Sequence, residues 1–388
     1  MKIKRLAVAL FFFTNGFQYA NWVARLPEVE KLYNISHATL GTLLLCSAAG
    51  AMAAMPFAGY LTVLFGSRRI TIFTGALMVS LIPLIPLLSN LWLIGGLFFL
   101  FGVLGGSEDV AMNGQAVYVE RLYKKPILSS FHGVWSVGTA LGAGCGALMA
   151  KFQVGLFNHF LVVAISCLAV IFWASFNLIS DDMSKMESNT EGGSTFRLPT
   201  KAIVPIGLIA FCGMTGEGSI ADWSALYMNK EIGQSEAFSA LTFGAFATAM
   251  TIGRIFGDYY TAKFGKRNML IFNSLTAVLG LCLALSTTQP YIVLVGFFIV
   301  GLSLATIVPI VYSTAGNTEG VAPSVGIAMA TTIGYAGFFV GPPIIGYLAD
   351  IFNLRVGLLF TLFLFIVMLA LTNRYIKKND LAWRLKKK

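Results

Sequence analysis

"LWLIGGLFFLFGVLGGSEDVAMNGQAVYVE", residues 91–120, opens as a run of apolar side chains and glycine and then admits Glu108 and Asp109 without a turn signal. A helix needs about 20 mostly apolar residues to cross the hydrocarbon of a bilayer. Lipid offers peptide groups no hydrogen-bond partner, so a run of this kind must be helical. Two adjacent acids inside such a helix need water, a partner or a proton.

The rest of the chain repeats the apolar pattern. Its 388 residues are 57% hydrophobic and 11% charged, against about 45–50% and about 25% in soluble domains. About twelve runs reach spanning length: roughly 5–24, 38–64, 69–88, 91–117, 128–150, 155–179, 202–228, 237–261, 269–287, 291–315, 324–349 and 355–376. The expected fold is an all-α membrane protein. The first run lacks a small-residue cleavage site and continues into "ANWVARLPEVE", so it reads as a span rather than a removed signal.

The net charge of +10 is not the mark of a nucleic-acid binder, because it is sorted by side. Lys2, Lys4, Arg5, Arg68, Arg69, Arg121, Lys124, Lys125, Lys185, Arg197, Lys201, Lys263, Lys266 and Arg267 fall with the N-terminus. Arg25, Lys31, Lys151, Lys230 and Arg355 fall opposite. That bias places both termini in the cytoplasm, for a multi-pass protein of the inner (plasma) membrane. The basic tail 377–388 reads as an anchor to anionic lipid. Cys46, Cys145, Cys167, Cys212 and Cys282 have no paired spacing and read as small buried hydrophobes.

The polar stretch "SDDMSKMESNTEGGSTFRLPTK", 180–201, reads as a cytoplasmic linker between six-helix halves at 1–179 and 202–376. The halves echo each other. "GYLTVLFGSRRITIF" (59–73) is similar to "GDYYTAKFGKRNMLIF" (257–272) with a one-residue offset, and "WSVGTALGAGCGALM" (135–149) to "GYAGFFVGPPIIGYL" (334–348). Gly138, Gly142 and Gly146 leave one helix face bare for a close neighbour. Gly337 and Gly341 repeat this before Pro342–Pro343, which should bend or break the helix.

These features together resemble the major facilitator superfamily over the whole length. Its cytoplasmic signature after the second span is matched by Gly59, Leu61, Gly66, Arg68 and Arg69, with Val63 where the family has aspartate. "GRIFGDYYTAKFGKR" resembles the second-half loop. Within the superfamily, "NGFQYANWVARLP" (15–27) and "GLSLATIVPIVYSTAG" (301–316), with Pro309, resemble the fucose-permease-like branch and related uncharacterised bacterial inner-membrane transporters. The resemblance implies a substrate site between pseudo-symmetric halves and a proton-coupling carboxylate at Asp109, four residues before Asn113. The branch's first-span acid falls on Tyr19, and its polar fifth-span sugar contact on His132.

The residues themselves support this reading. Five acids lie in or near spans: Glu108, Asp109, Glu217, Asp222 and Asp258. At about 2.5 kcal/mol each they would cost roughly 12 kcal/mol, comparable to a whole folding stability of about 5–15. They must be protonated, paired or wetted. Asp109 shares a helix face with Asn113, while Glu108 is rotated by about 100°, so Asp109 is the expected proton-titrating group, with Glu217 and Asp222 as further coupling candidates. Gln18, Tyr19, Asn21, Trp22, Asn113, His132, Trp135, Trp223 and Tyr227 are the expected substrate-cavity residues, by hydrogen bonding and ring stacking. Arg68, Arg69, Glu120, Arg254 and Asp258 are expected gating or structural charges, with Arg254 and Asp258 an i,i+4 pair. Three dispersed histidines make no metal site, and His37 and His159 read as bland residues at span starts.

The function expected is secondary active transport by alternating access, as proton-coupled uptake of a small polar metabolite such as a sugar. Proton-driven export of an amphipathic or cationic compound fits the same acids. An intramembrane transferase is disfavoured by short, histidine-poor loops, so the chain is not read as an enzyme. The expected partners are the substrate, protons and the bilayer, with no cofactor, and the protein is expected to be a monomer.

Overall fold

The computed structural model describes residues 1–35, 37–180 and 199–376. Most of the expected linker at 180–201, with Lys185 and Arg197, and the tail at 377–388 lie outside the described residues. The first-half spans are the helices Lys2–Val23, His37–Phe65, Ser67–Leu81 with a 3₁₀ extension Ile82–Leu87, Leu91–Tyr123, Leu128–Lys151 and Leu156–Ser175. The second-half spans are Val204–Lys230, Glu236–Phe264, Lys266–Leu285, Pro290–Leu304 continued by Ile307–Ala315, Pro323–Ile351 and Leu354–Tyr375. Ten of the twelve are long and apolar enough to cross a membrane by length and composition. The amides Asn15, Gln18 and Asn21 hold down the hydropathy of the first.

Several departures have local causes. The third span tightens to 3₁₀ at Ile82–Leu87, where Pro83 and Pro86 withhold backbone donors. The tenth breaks between Leu304 and Ile307, because Pro309 cannot donate to the carbonyl four residues back. By contrast, helix Pro323–Ile351 runs without interruption past Pro342–Pro343, so the expected break is absent. A short helix, Leu26–Tyr33, follows the first span, and the Tyr33 hydroxyl donates to the Ile85 carbonyl. The cysteines depart too: Cys167 and Cys212 are buried, but Cys282 is exposed. Lipid is as apolar as a leucine side chain, so a membrane helix tolerates a thiol on its outer face.

Two compact units result. One holds the first six spans with Gly316–Ala328, the other the last six with Lys124–Ser130. In the first unit, Trp22, Ile82, Ile94, Phe98, Phe101 and Phe160 belong to one apolar core cluster. Glycines set the helix spacing. A Cβ on Gly102 would come within 2.7 Å of the Ser47 carbonyl carbon. The bare face of Gly138, Gly142 and Gly146 receives the first span at Phe13, Phe17 and Asn21. Gly337 and Gly341 receive the seventh span at Phe211 and Thr215 in the same manner, so the repeat read from the sequence is carried by packing.

Candidate functional site

Three sets of polar groups stand out in the first unit. In the first, the Trp135 indole N–H donates to Asn15 Oδ1 at 2.9 Å, and Asn15 Nδ2 donates to Glu108 Oε2 at 3.0 Å. An indole nitrogen can only donate, so Trp135 fixes which way the Asn15 amide faces. Glu108 is 2% exposed.

The second set is turned by about 100° on the same helix. Asn113 Nδ2 donates at 2.9 Å to both the carboxylate and the backbone carbonyl of Asp109. Asp109 is half-buried and Asn113 fully buried, with no partner among the described residues for the Asn113 carbonyl oxygen. Gln18 on the first span is 1% exposed, and neither atom of its amide has a partner among the described residues. A buried amide without partners is costly, so Gln18 and Asn113 stand out as groups equipped to bind something polar.

The third set joins four side chains. Arg25, 1% exposed, donates to both oxygens of Glu28 at 2.5 Å and to the Val154 carbonyl at 2.8 Å. Its remaining arm meets His159 Nδ1 at 3.1 Å, while His159 Nε2 meets Asn21 Oδ1 at 2.9 Å. His159 is therefore no bland span start, and Asn21 is committed to this network. Trp22, also expected at a cavity, packs between Phe98 and Phe101 in the core. Tyr19 is exposed with its ring edge-on to Trp22, and half-buried His132 lies edge-on to Phe12.

In the second unit, Arg254 reaches across to Glu217 of the seventh span at 3.2 Å. The Asp258 carboxylate accepts the backbone N–H groups of Ser129 and Ser130, both at 2.8 Å. Those are unsatisfied donors at the start of helix Leu128–Lys151, where a negative charge is favourable. Asp222 is exposed. Trp223 is half-buried beside Gly346, and its indole N–H has no partner among the described residues. Tyr227 is fully buried, edge-on to Phe297, with its hydroxyl 3.3 Å from Arg355 Nε. Its ring packs in the interior against Phe297 rather than standing open to a ligand.

The loop charges differ in role. Arg68 donates to the Ser175 carbonyl at 3.2 Å, and the equivalent Arg267 donates to the Ile376 carbonyl at 3.0 Å. Each follows a glycine of positive φ, Gly66 at 96° and Gly265 at 84°, a conformation that other residues adopt only under strain. Arg69 is exposed and Glu120 fully buried. Arg121 donates to Asn317 Oδ1 at 2.9 Å and to the Gly316 carbonyl at 2.8 Å.

Sequence reasoning passed over two polar hubs. Gln115 joins Ser67 Oγ at 2.8 Å to both backbone groups of Ile179. Between the ninth and tenth spans, Lys266 donates to Ser313 at 2.6 Å, Asn273 to Thr306 at 2.6 Å, and Ser303 to Thr276 at 2.7 Å. As the first members advance along one helix, their partners step back along the other by the same intervals. The signal for this antiparallel ladder was present as polar residues in two adjacent apolar runs, but pairing them requires the register.

Comparison with known proteins agrees with this architecture. The sequence profile of the Major Facilitator Superfamily matches residues 6–318. An uncharacterised MFS-type transporter of Yersinia pestis is 32% identical over 354 residues, 91% of each chain. The structure of the MFS transporter FucP in the outward conformation superposes with a TM-score of 0.77 at 15% identity, covering 96% of this chain and 98% of that one. The proton:xylose symporter XylE bound to 6-bromo-6-deoxy-D-glucose gives 0.73 at 13% identity, covering 95% and 94%. At such identities the two structures attest the shared fold, and the profile and the Yersinia relative attest descent: this multi-pass membrane protein belongs to the Major Facilitator Superfamily.

Proposed function

We propose that the protein is a secondary active transporter that moves a small polar metabolite, such as a sugar, by alternating access and proton-coupled uptake. The observation that carries the substrate class is the pair of buried amides, Gln18 and Asn113, left with unmet hydrogen-bonding atoms. A polyhydroxylated ligand offers both donors and acceptors to such groups. FucP, described as a fucose:proton symporter of E. coli, and XylE share the fold and fit this reading. Asp109 is the coupling carboxylate in this scheme. It is partly exposed and held by an amide donor rather than only by solvent. Arg254 and Asp258 serve as gating charges, and the 1–179 and 202–376 halves are the moving bodies. Both termini lie in the cytoplasm.

The test is flux in liposomes carrying the purified protein under an imposed inward proton gradient, with labelled monosaccharides as probes. Accumulation that collapses with a protonophore and is lost in Asp109→Asn supports the proposal. Expulsion of a cationic dye under the opposite gradient, with no sugar uptake, would instead identify an exporter.

A further inference from the structure

We propose that Glu108 holds a proton in this conformation and is a second proton-binding site, distinct from its neighbour Asp109. The reasoning starts from what surrounds the carboxyl group. Its fold position is the middle of the fourth span, and its side chain is 2% exposed. Among the described residues, its polar partner is a single neutral donor, Asn15 Nδ2 at 3.0 Å. The donor's orientation is not adjustable, since Asn15 Oδ1 is held by the Trp135 indole N–H at 2.9 Å. Asn15 thus supplies one hydrogen bond to Oε2 and nothing to Oε1.

The other oxygen sits in a space that the third span leaves open. A Cβ on Gly75 would lie 2.8 Å from Glu108 Oε1 and 3.5 Å from the Phe11 ring. Glycine backbone and an aromatic ring therefore stand on that side, and neither neutralises a charge. Among the described residues, the titratable groups that interact with Glu108 are Asp109 on its own helix and the Cys167 thiol on the sixth span. Neither is a cation, and an ionised Asp109 repels a second negative charge. An isolated ionised carboxylate buried in this manner is far costlier than its protonated form. Neutralisation by one proton on the carboxyl meets the requirement without a counter-ion, and the hydrogen bond from Asn15 to Oε2 is kept.

Asp109 also accepts from an asparagine amide, that of Asn113, but it differs in burial: it is half-buried where Glu108 is 2% exposed. The helix therefore carries two acids in different surroundings at adjacent positions. Glu108 is tied through Asn15 and Trp135 to the first and fifth spans, so a change in the spacing of those helices alters the one hydrogen bond it has. What the proton is used for rests on the transport reading above; that Glu108 carries it does not.

The experiment is an infrared pH titration of the purified full-length protein in detergent, following the carbonyl stretch of protonated carboxyl groups. The expected result is a protonated-carboxyl band at neutral pH that disappears in Glu108→Gln and persists in Asp109→Asn. Should Glu108→Gln fail to fold, Glu108→Asp is expected to move the band rather than leave it in place. A neutral-pH band unchanged by either Glu108 substitution, or no such band in the wild type, overturns the proposal. No substrate enters this measurement, so a failure of the flux experiment leaves its outcome interpretable.

Discussion

The guanidinium of Arg25 and the imidazole of His159 meet at 3.1 Å in the interior, though 134 residues separate them in the chain. Arginine can only donate, so His159 Nδ1 must accept, and its Nε2–H must then donate to Asn21. One contact therefore fixes a tautomer and ties the end of the first span to the start of the sixth.

Replacing His159 by phenylalanine keeps the volume but strands an Arg25 N–H and the Asn21 carbonyl oxygen. The expected loss is about 1–3 kcal/mol, read as an earlier thermal transition of the detergent-purified protein. His159→Gln, which keeps an acceptor and a donor, should recover part of it. Equal melting of His159→Phe and wild type would remove the network from the stabilising interactions.

Asp258 is expected to act through its charge and its geometry together. Asp258→Ala leaves the Ser129 and Ser130 N–H groups without their carboxylate, and loss of a helix N-cap costs about 0.5–2 kcal/mol. Asp258→Asn keeps one acceptor and should lie between. If the asparagine variant melts below the alanine one, the cap is not what Asp258 provides.

Tyr227→Phe retains the packing against Phe297 and removes only the hydroxyl that meets Arg355. A loss near the usual net hydrogen-bond value of about 0.5–1.5 kcal/mol, with transport kinetics unchanged, is expected. A large rise in KM with unchanged melting would return Tyr227 to the substrate-facing residues.

The ladder between the ninth and tenth spans offers a graded case. Interhelical hydrogen bonds in membranes average about 0.6 kcal/mol, so Asn273→Leu should destabilise slightly. The double change with Thr306→Val should cost clearly less than the two singles together, because the second change removes a partner already lost. A steep additive loss in the double variant would show that the two side chains act separately.

Gly102→Val tests the helix spacing of the first unit. Its side chain would enter the backbone of Ser47 and Ala51, where no rotamer change relieves the clash. Loss of folded yield is expected, whereas Gly96→Ala, with nothing within 4 Å of its Cβ position, should be silent.

The amino-acid order alone determined the class of molecule and roughly where the spans lie, because apolar length and the absence of hydrogen-bond partners in lipid leave no alternative to helices. The glycine spacing at 138, 142 and 146 likewise announced a close neighbour. Which neighbour it was, and which polar residues meet, were decided by the tertiary structure alone. Asn15, Glu108 and Trp135 sit on three separate spans, while Gln115 and Ser67 sit on two and meet Ile179 just beyond the sixth. Helix periodicity gives each residue its direction on its own helix but not the rotation or height of the helix facing it. For that reason Glu108 and Asp109, indistinguishable in the sequence beyond 100° of rotation, end in different surroundings: one sealed beside a single amide, the other partly open and bound to Asn113.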